Sequence, residues 1–128
     1  MKAVTQDFIE LRTRAELLEL CDDPGGAAKL RKLSLEIARE VDLTCYGYQL
    51  LWRNRVREAV TILEENAARH PESWNAWDSL GDGYAQEGEI ARAAECYGHA
   101  SRLAEDVEQR VRIESSLREM IALGAMAS

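Results

Sequence analysis

Trp77-Asp78-Ser79-Leu80-Gly81-Asp82-Gly83-Tyr84, continued by Ala93, Tyr97 and Ala100, sets bulky residues against small ones at fixed intervals. One period of about 34 residues earlier stand Leu43, Tyr46, Gly47, Leu50, Ala59, Leu63 and Pro71, with the same alternation. A repeat of that length is one helix–turn–helix unit. Such a unit cannot bury its apolar face alone, so its neighbours must stack, and stacking leaves a concave surface suited to binding. The spacing therefore points to recognition rather than to chemistry.

Composition agrees with a helical fold. Of the 128 residues, 46% are hydrophobic and 30% charged, too apolar for a disordered chain, and only Pro24 and Pro71 interrupt it. Ala, Leu, Glu and Arg dominate over β-branched and aromatic residues. A net charge of −7 disfavours nucleic acid and anionic membrane, both of which need a basic footprint, and favours basic or neutral polypeptide as partner. No apolar run approaches a membrane span, and Met1-Lys2-Ala3-Val4-Thr5-Gln6-Asp7 lacks the apolar core of a signal peptide. The expected compartment is the cytoplasm. Cys21, Cys45 and Cys96 are odd in number and lack CxxC spacing, so they read as reduced packing residues.

Helical periodicity organises the chain into about seven helices. From Thr5 to Asp22 the stripe Val4, Phe8, Leu11, Ala15, Leu18 and Cys21 is widened by Ile9, Leu17 and Leu20, which predicts a helix covered on two sides. Asp22-Asp23-Pro24-Gly25-Gly26 breaks it, and a second helix from Ala27 to Glu40 presents Leu30, Leu33, Ile37 and Val41. Residues 1–39 thus form a hairpin that departs from the repeat, since one further period back places Gly25 and Arg12 where an alanine and a leucine belong. Residues 40–105 hold two units. The first runs from about Asp42 to Arg53 and from Val56 to Arg69; the second from Trp74 to Gln86 and from Ile90 to Leu103. Asn54 and Gly88, one period apart, are the residue types that readily take a left-handed helix end, and Ser73 is an N-cap candidate. Residues 106–128 supply a helix from Asp106 to Leu123, with Val107, Val111, Leu117, Met120 and Ile121 toward the core and Gly124 past its end, which reads first as a lone cap and second as a helix that pairs with another chain.

These residues resemble the tetratricopeptide repeat family. Trp77, Leu80, Gly81, Tyr84, Ala93, Tyr97 and Ala100 match its signature across Trp74 to Glu105, and Tyr46, Gly47, Leu50, Ala59, Leu63 and Pro71 match it from Glu40 to Ser73. Glu105 replaces the closing proline and Asn66 the first unit's last small residue. The resemblance implies an all-α stack of antiparallel helix pairs, an α–α superhelix, whose groove is lined by the first helix of each unit and binds peptides or partner helices. Carried onto this chain, the groove residues are Thr44, Tyr48, Leu51 and Trp52 from one unit and Asn75, Asp78, Asp82 and Gln86 from the next. Helical phase alone also turns these away from the packing stripes. Asp78 and Asp82 would repel an anionic peptide terminus, whereas a ligand with basic and apolar groups would suit them and the Tyr48/Trp52 surface. The string from Trp77 to Tyr84 is also similar to repeats appended to some bacterial hydrolases. That similarity gives the contrasting reading, an accessory domain or subunit of an enzyme complex.

Each feature also has a plainer reading. Tyr48, Leu51 and Trp52 are either a partner platform, a homodimer surface or a surface covered by the N-terminal hairpin. Asp78 and Asp82, four apart, read first as a solvated helix face rather than an acid/base pair or cation site. His70 and His99 are isolated, which gives no metal site, and His70 beside Pro71 suits a helix C-terminus. Cys45 and Cys96 read as small hydrophobes rather than nucleophiles. Gly81-Asp82-Gly83 lies within a helix with no strand before it, so it is not a phosphate loop. The expectation is a non-enzymatic module without cofactor or metal, binding protein or peptide.

Overall fold

A computed structural model of the chain describes residues 6–127; Val4 and Thr5, and the predicted start of the first helix, lie outside them. Among the described residues there are seven α-helices and no strand: α1 (Gln6–Leu20), α2 (Pro24–Ile37), α3 (Glu40–Trp52), α4 (Val56–Arg69), α5 (Trp74–Glu87), α6 (Ile90–Leu103) and α7 (Val107–Ala127). The chain divides into two compact units, Met1–Cys45 and Tyr46–Ser128.

In the first unit α1 packs on α2, with Phe8 and Ala15 buried on the first helix and Ala27 and Ser34 on the second. Two expectations fail here. Ile9, Leu17 and Leu20 are exposed, so α1 is not covered on two sides, and Leu33 and Ile37 are exposed while the small Ala27 and Ser34 are buried. Leu17, Leu18 and Leu30 instead line a shallow apolar groove with Arg14 and Cys21. Pro24 opens α2 rather than preventing it. Proline lacks an N–H that the first turn would leave unbonded anyway, and the Asp23 side chain caps the turn by accepting from the Gly26 N–H at 3.0 Å. α3 starts two residues before Asp42, whose buried carboxylate reaches back to accept from the Arg39 N–H at 2.9 Å.

The second unit is the better determined by its sequence. Ser73 accepts from the Ala76 N–H at 3.3 Å, and Asn54 and Gly88 take left-handed backbone, φ 62° and 90°, after α3 and α5. Close helix approach then needs the two small residues. A Cβ built on Gly47 would lie 2.4 Å from Leu63 Cδ2, and one on Gly81 would lie 2.7 Å from Tyr97 Cε1. Each glycine is thus the slot into which the return helix of its own unit inserts one large side chain. The core around these slots includes Leu50, Ala59, Leu63, Ala67, Leu80, Tyr84, Ala93 and Ala100, as the repeat pattern predicts. Asn66, the departure from the small-residue pattern, is also fully buried.

α7 departs from its expected form. It runs through Gly124 to Ala127, and it is rotated about its axis: Ile113 and Met120 are buried, while Val107, Val111 and Ile121 are exposed. Polar anchors set this rotation. Arg110 donates twice to the Ala104 carbonyl, at 3.1 and 2.7 Å, and Arg112 pairs with Asp78 at 2.8 Å, which turns the Ile113 side inward.

Candidate binding cleft

The repeat brings the first helices of successive units side by side, so residues one period apart meet. Tyr48 on α3 donates its hydroxyl to Asp82 Oδ2 on α5, and Asp78 on α5 receives Arg112 from α7. Both pairs are separated by 34 positions. Gln86 completes the α3–α5 seam by donating from Nε2 to the Leu51 carbonyl at 3.1 Å, a group at the end of α3 that also accepts from the Asn54 N–H at 3.0 Å.

Between α3, α5, α6 and α7 of the second unit lies an open cleft of about 780 Å3, lined by Tyr48, Leu51, Trp52, Asp82, Gln86 and Tyr97 and closed on one side by Glu119, Met120 and Leu123. Five of the eight sequence-predicted groove residues therefore meet there: Tyr48, Leu51, Trp52, Asp82 and Gln86. Trp52 stands at its rim, 92% exposed, whereas Leu51 is buried and forms part of the wall. Thr44 is buried and belongs to the first compact unit. Asn75 is half-buried and does not line the cleft. Asp78 is only 3% exposed and also lies outside the lining.

The two aspartates correct the expectation of a solvated acidic face. Asp82 is half-buried and accepts from two phenols, Tyr48 on Oδ2 and Tyr97 on Oδ1, so both its oxygens are engaged within the fold. Burial and the adjacent Asp82 charge push the Tyr48 hydroxyl far above the usual tyrosine range, and burial with the Asp82 hydrogen bond does the same to Tyr97. Both phenols therefore stay neutral donors. Burial also raises the Asp78 carboxyl above the usual aspartate range, against the opposing pull of the Arg112 hydrogen bond, and its Oδ1 has no hydrogen-bond partner among the described residues. A similar bond, from the Tyr84 hydroxyl to Glu64 Oε2, ties α5 to α4, and burial raises that phenol to about 12.

The remaining singled-out residues fall outside the cleft. The His99 ring lies 4.4 Å from that of Trp77, whose Nε1 donates to the Pro71 carbonyl at 2.8 Å. Cys96 is buried and burial raises its thiol to about 12, which suits packing and leaves little thiolate. Cys45 is shifted in the same direction by burial, while Cys21 is exposed. Ala85, Tyr97 and the α7 residues are the cleft members that sequence reasoning missed. A usable signal was present, because pairing each residue with its counterpart one period along would have set Tyr48 beside Asp82 and Asp78 beside Arg112.

No protein-family model and no curated protein matches the chain. Among solved structures it is similar to the tetratricopeptide-repeat domain of Sgt2 from Aspergillus fumigatus, with a TM-score of 0.64 and 16% identity over 98% of this chain and 83% of that one. A likeness at that identity speaks for architecture alone, and it joins the large-and-small register of Gly47, Leu63, Gly81 and Tyr97 in one conclusion: the chain has the all-helical fold of a tetratricopeptide-repeat domain.

Proposed function

We propose that the chain is a non-catalytic protein-interaction module of the cytoplasm, which holds a peptide or partner segment in the cleft between α3, α5 and α7. The observation that carries this reading is Trp52, an almost fully exposed tryptophan at the rim of a cleft whose wall is Leu51, Met120 and Leu123. Leaving so large an apolar ring in water is costly, and such aromatics at concave sites act as anchors for partners. The partner brings an apolar side chain for Trp52 and Tyr48, and basic groups that suit Glu119 and the net charge of −7.

Asp78 and Asp82 act one step behind the binding surface in this reading. Asp82 fixes the rings of Tyr48 and Tyr97, and Asp78 fixes α7 through Arg112, so the cleft is preorganised before a partner arrives. Among the described residues no helix is long and apolar enough to cross a membrane, and no three of His, Cys, Asp and Glu converge as a metal site would require.

Peptides selected from a random library on the immobilised chain should combine an aromatic or aliphatic residue with Lys or Arg. Trp52→Ala should weaken such a peptide by about 2 kcal/mol, roughly thirtyfold, with the helical circular dichroism unchanged. Calorimetric titration reads the difference, and an affinity that is the same for both proteins would remove Trp52 from the site.

A further inference from the structure

α7 carries two apolar stripes, and the fold uses one. Ile113 and Met120 are buried, but on the other side Val107, Val111 and Ile121 are 68%, 57% and 58% exposed. Val107, Val111, Glu114, Arg118, Ile121 and Ala125 follow one another at spacings of four and three, the seam of a two-helix coiled coil, over roughly 27 Å of helix.

The repeat shows what belongs on this stripe. One period earlier, Val111, Glu114 and Arg118 correspond to Trp77, Leu80 and Tyr84, the face with which α5 receives the antiparallel α6. The chain can lay α6 there because it turns at Gly88. α7 instead continues straight through Ala122, the counterpart of Gly88, and reaches Ala127. The face that takes an antiparallel helix in the preceding unit is therefore presented again, and among the described residues no helix lies on it.

We infer that this stripe is a homodimer seam, on which α7 of a second copy lies antiparallel about a twofold axis near residue 116. The pattern is its own complement. In that arrangement Val111 meets Ile121 of the second copy, Val107 meets Ala125, and Glu114 meets Arg118, each contact occurring twice. A parallel pairing would stack Glu114 on Glu114 and Arg118 on Arg118. The charges are available for the antiparallel contact: Arg118 is exposed with no hydrogen bond or ion pair among the described residues, and Glu114 accepts from the Ser101 hydroxyl at Oε1 alone, at 3.2 Å. Glu119, Met120 and Leu123 point to the cleft from elsewhere on the helix, so the seam leaves both clefts of the dimer open. It stands whether or not the cleft binds a peptide.

Sedimentation equilibrium of the full chain tests the seam. The unaltered chain should sediment at twice its chain mass. Glu114→Arg and Arg118→Glu each place like charges across the axis and should weaken association about a hundredfold, with helical content retained. Mixed in equal amounts, the two variants should associate again, because every seam contact between them is then Arg with Glu. An unaltered chain that stays monomeric at the highest concentration reached overturns the inference. So does a dimer that both reversals leave intact, and so does a pair of monomeric variants that fail to associate on mixing.

Discussion

Leucine at Gly81 is expected to lower stability by about 3 kcal/mol, even after the gain of about 0.8 kcal/mol that leucine brings to a helix over glycine. The reason is local. Even a bare Cβ there would lie 2.7 and 2.8 Å from two carbons of the Tyr97 ring, and that ring cannot withdraw freely because its hydroxyl is bonded to Asp82. Tyr97→Ala alone should cost about 3 to 5 kcal/mol through the cavity it leaves. The double variant should cost less than the sum by at least about 1 kcal/mol, since the leucine occupies part of that cavity. Urea unfolding of the four proteins reads the cycle, and strictly additive losses would mean that the two residues do not meet.

The same contact explains why the fold was legible. A slot of zero volume, glycine, facing a large aromatic residue sixteen positions later leaves a mark in the sequence that does not depend on solvent or partner. α4, α5 and α6 accordingly lie within a residue of their expected bounds, and Ser73, Asn54 and Gly88 end or begin helices as their chemistry requires. The second helical stripe of α7 left a mark too, but an ambiguous one. Val107, Val111 and Ile121 form as good an apolar face as Ile113 and Met120, and what decides between them is the pairing of Arg112 with Asp78, an ion pair between distant helices. In α2 the small residues Ala27 and Ser34 took the buried side from Leu33 and Ile37, because close packing rewards the shorter side chains. The site was half legible for a related reason. Helical phase selects the face that bears Tyr48, Asp78 and Asp82, but it does not say which of those polar groups the fold consumes internally.

Arg112→Ala is the second large effect expected, a loss of about 2 to 3 kcal/mol. It would leave the buried Asp78 carboxylate, one of whose oxygens already has no hydrogen-bond partner among the described residues, without the guanidinium that pairs with it. The loss stays below that of a fully buried pair because Arg112 is half exposed. Its pH dependence carries a sign. Burial raises the Asp78 carboxyl in the folded chain, so the folded state holds that proton more tightly than the unfolded one. The Asp78 contribution therefore improves as pH falls toward the ordinary aspartate value of about 3.9 and worsens as pH rises through the raised folded value. Without Arg112 the opposing pull is gone and the window extends upward. The variant's deficit against the unaltered chain should thus be largest at neutral pH and shrink on mild acidification. Urea midpoints across that range check it; a deficit independent of pH would show that Arg112 acts through packing rather than charge. Replacing both partners, Asp78→Leu with Arg112→Met, should recover most of the loss.

Together these contacts describe a rigid frame around an open, partly aromatic cleft, and recognition in that cleft is the central claim. Backbone amide chemical shifts of the isotope-labelled chain, followed as a selected peptide is added, test it most directly. The expected result is a connected set of moving signals at Leu51, Trp52, Ala85, Gln86, Met120 and Leu123, around the cleft. Movement confined to the outer groove of Gly98, Ser101, Leu117 and Ile121, or to the Leu17, Leu18 and Leu30 surface, with the cleft signals unmoved, would contradict it.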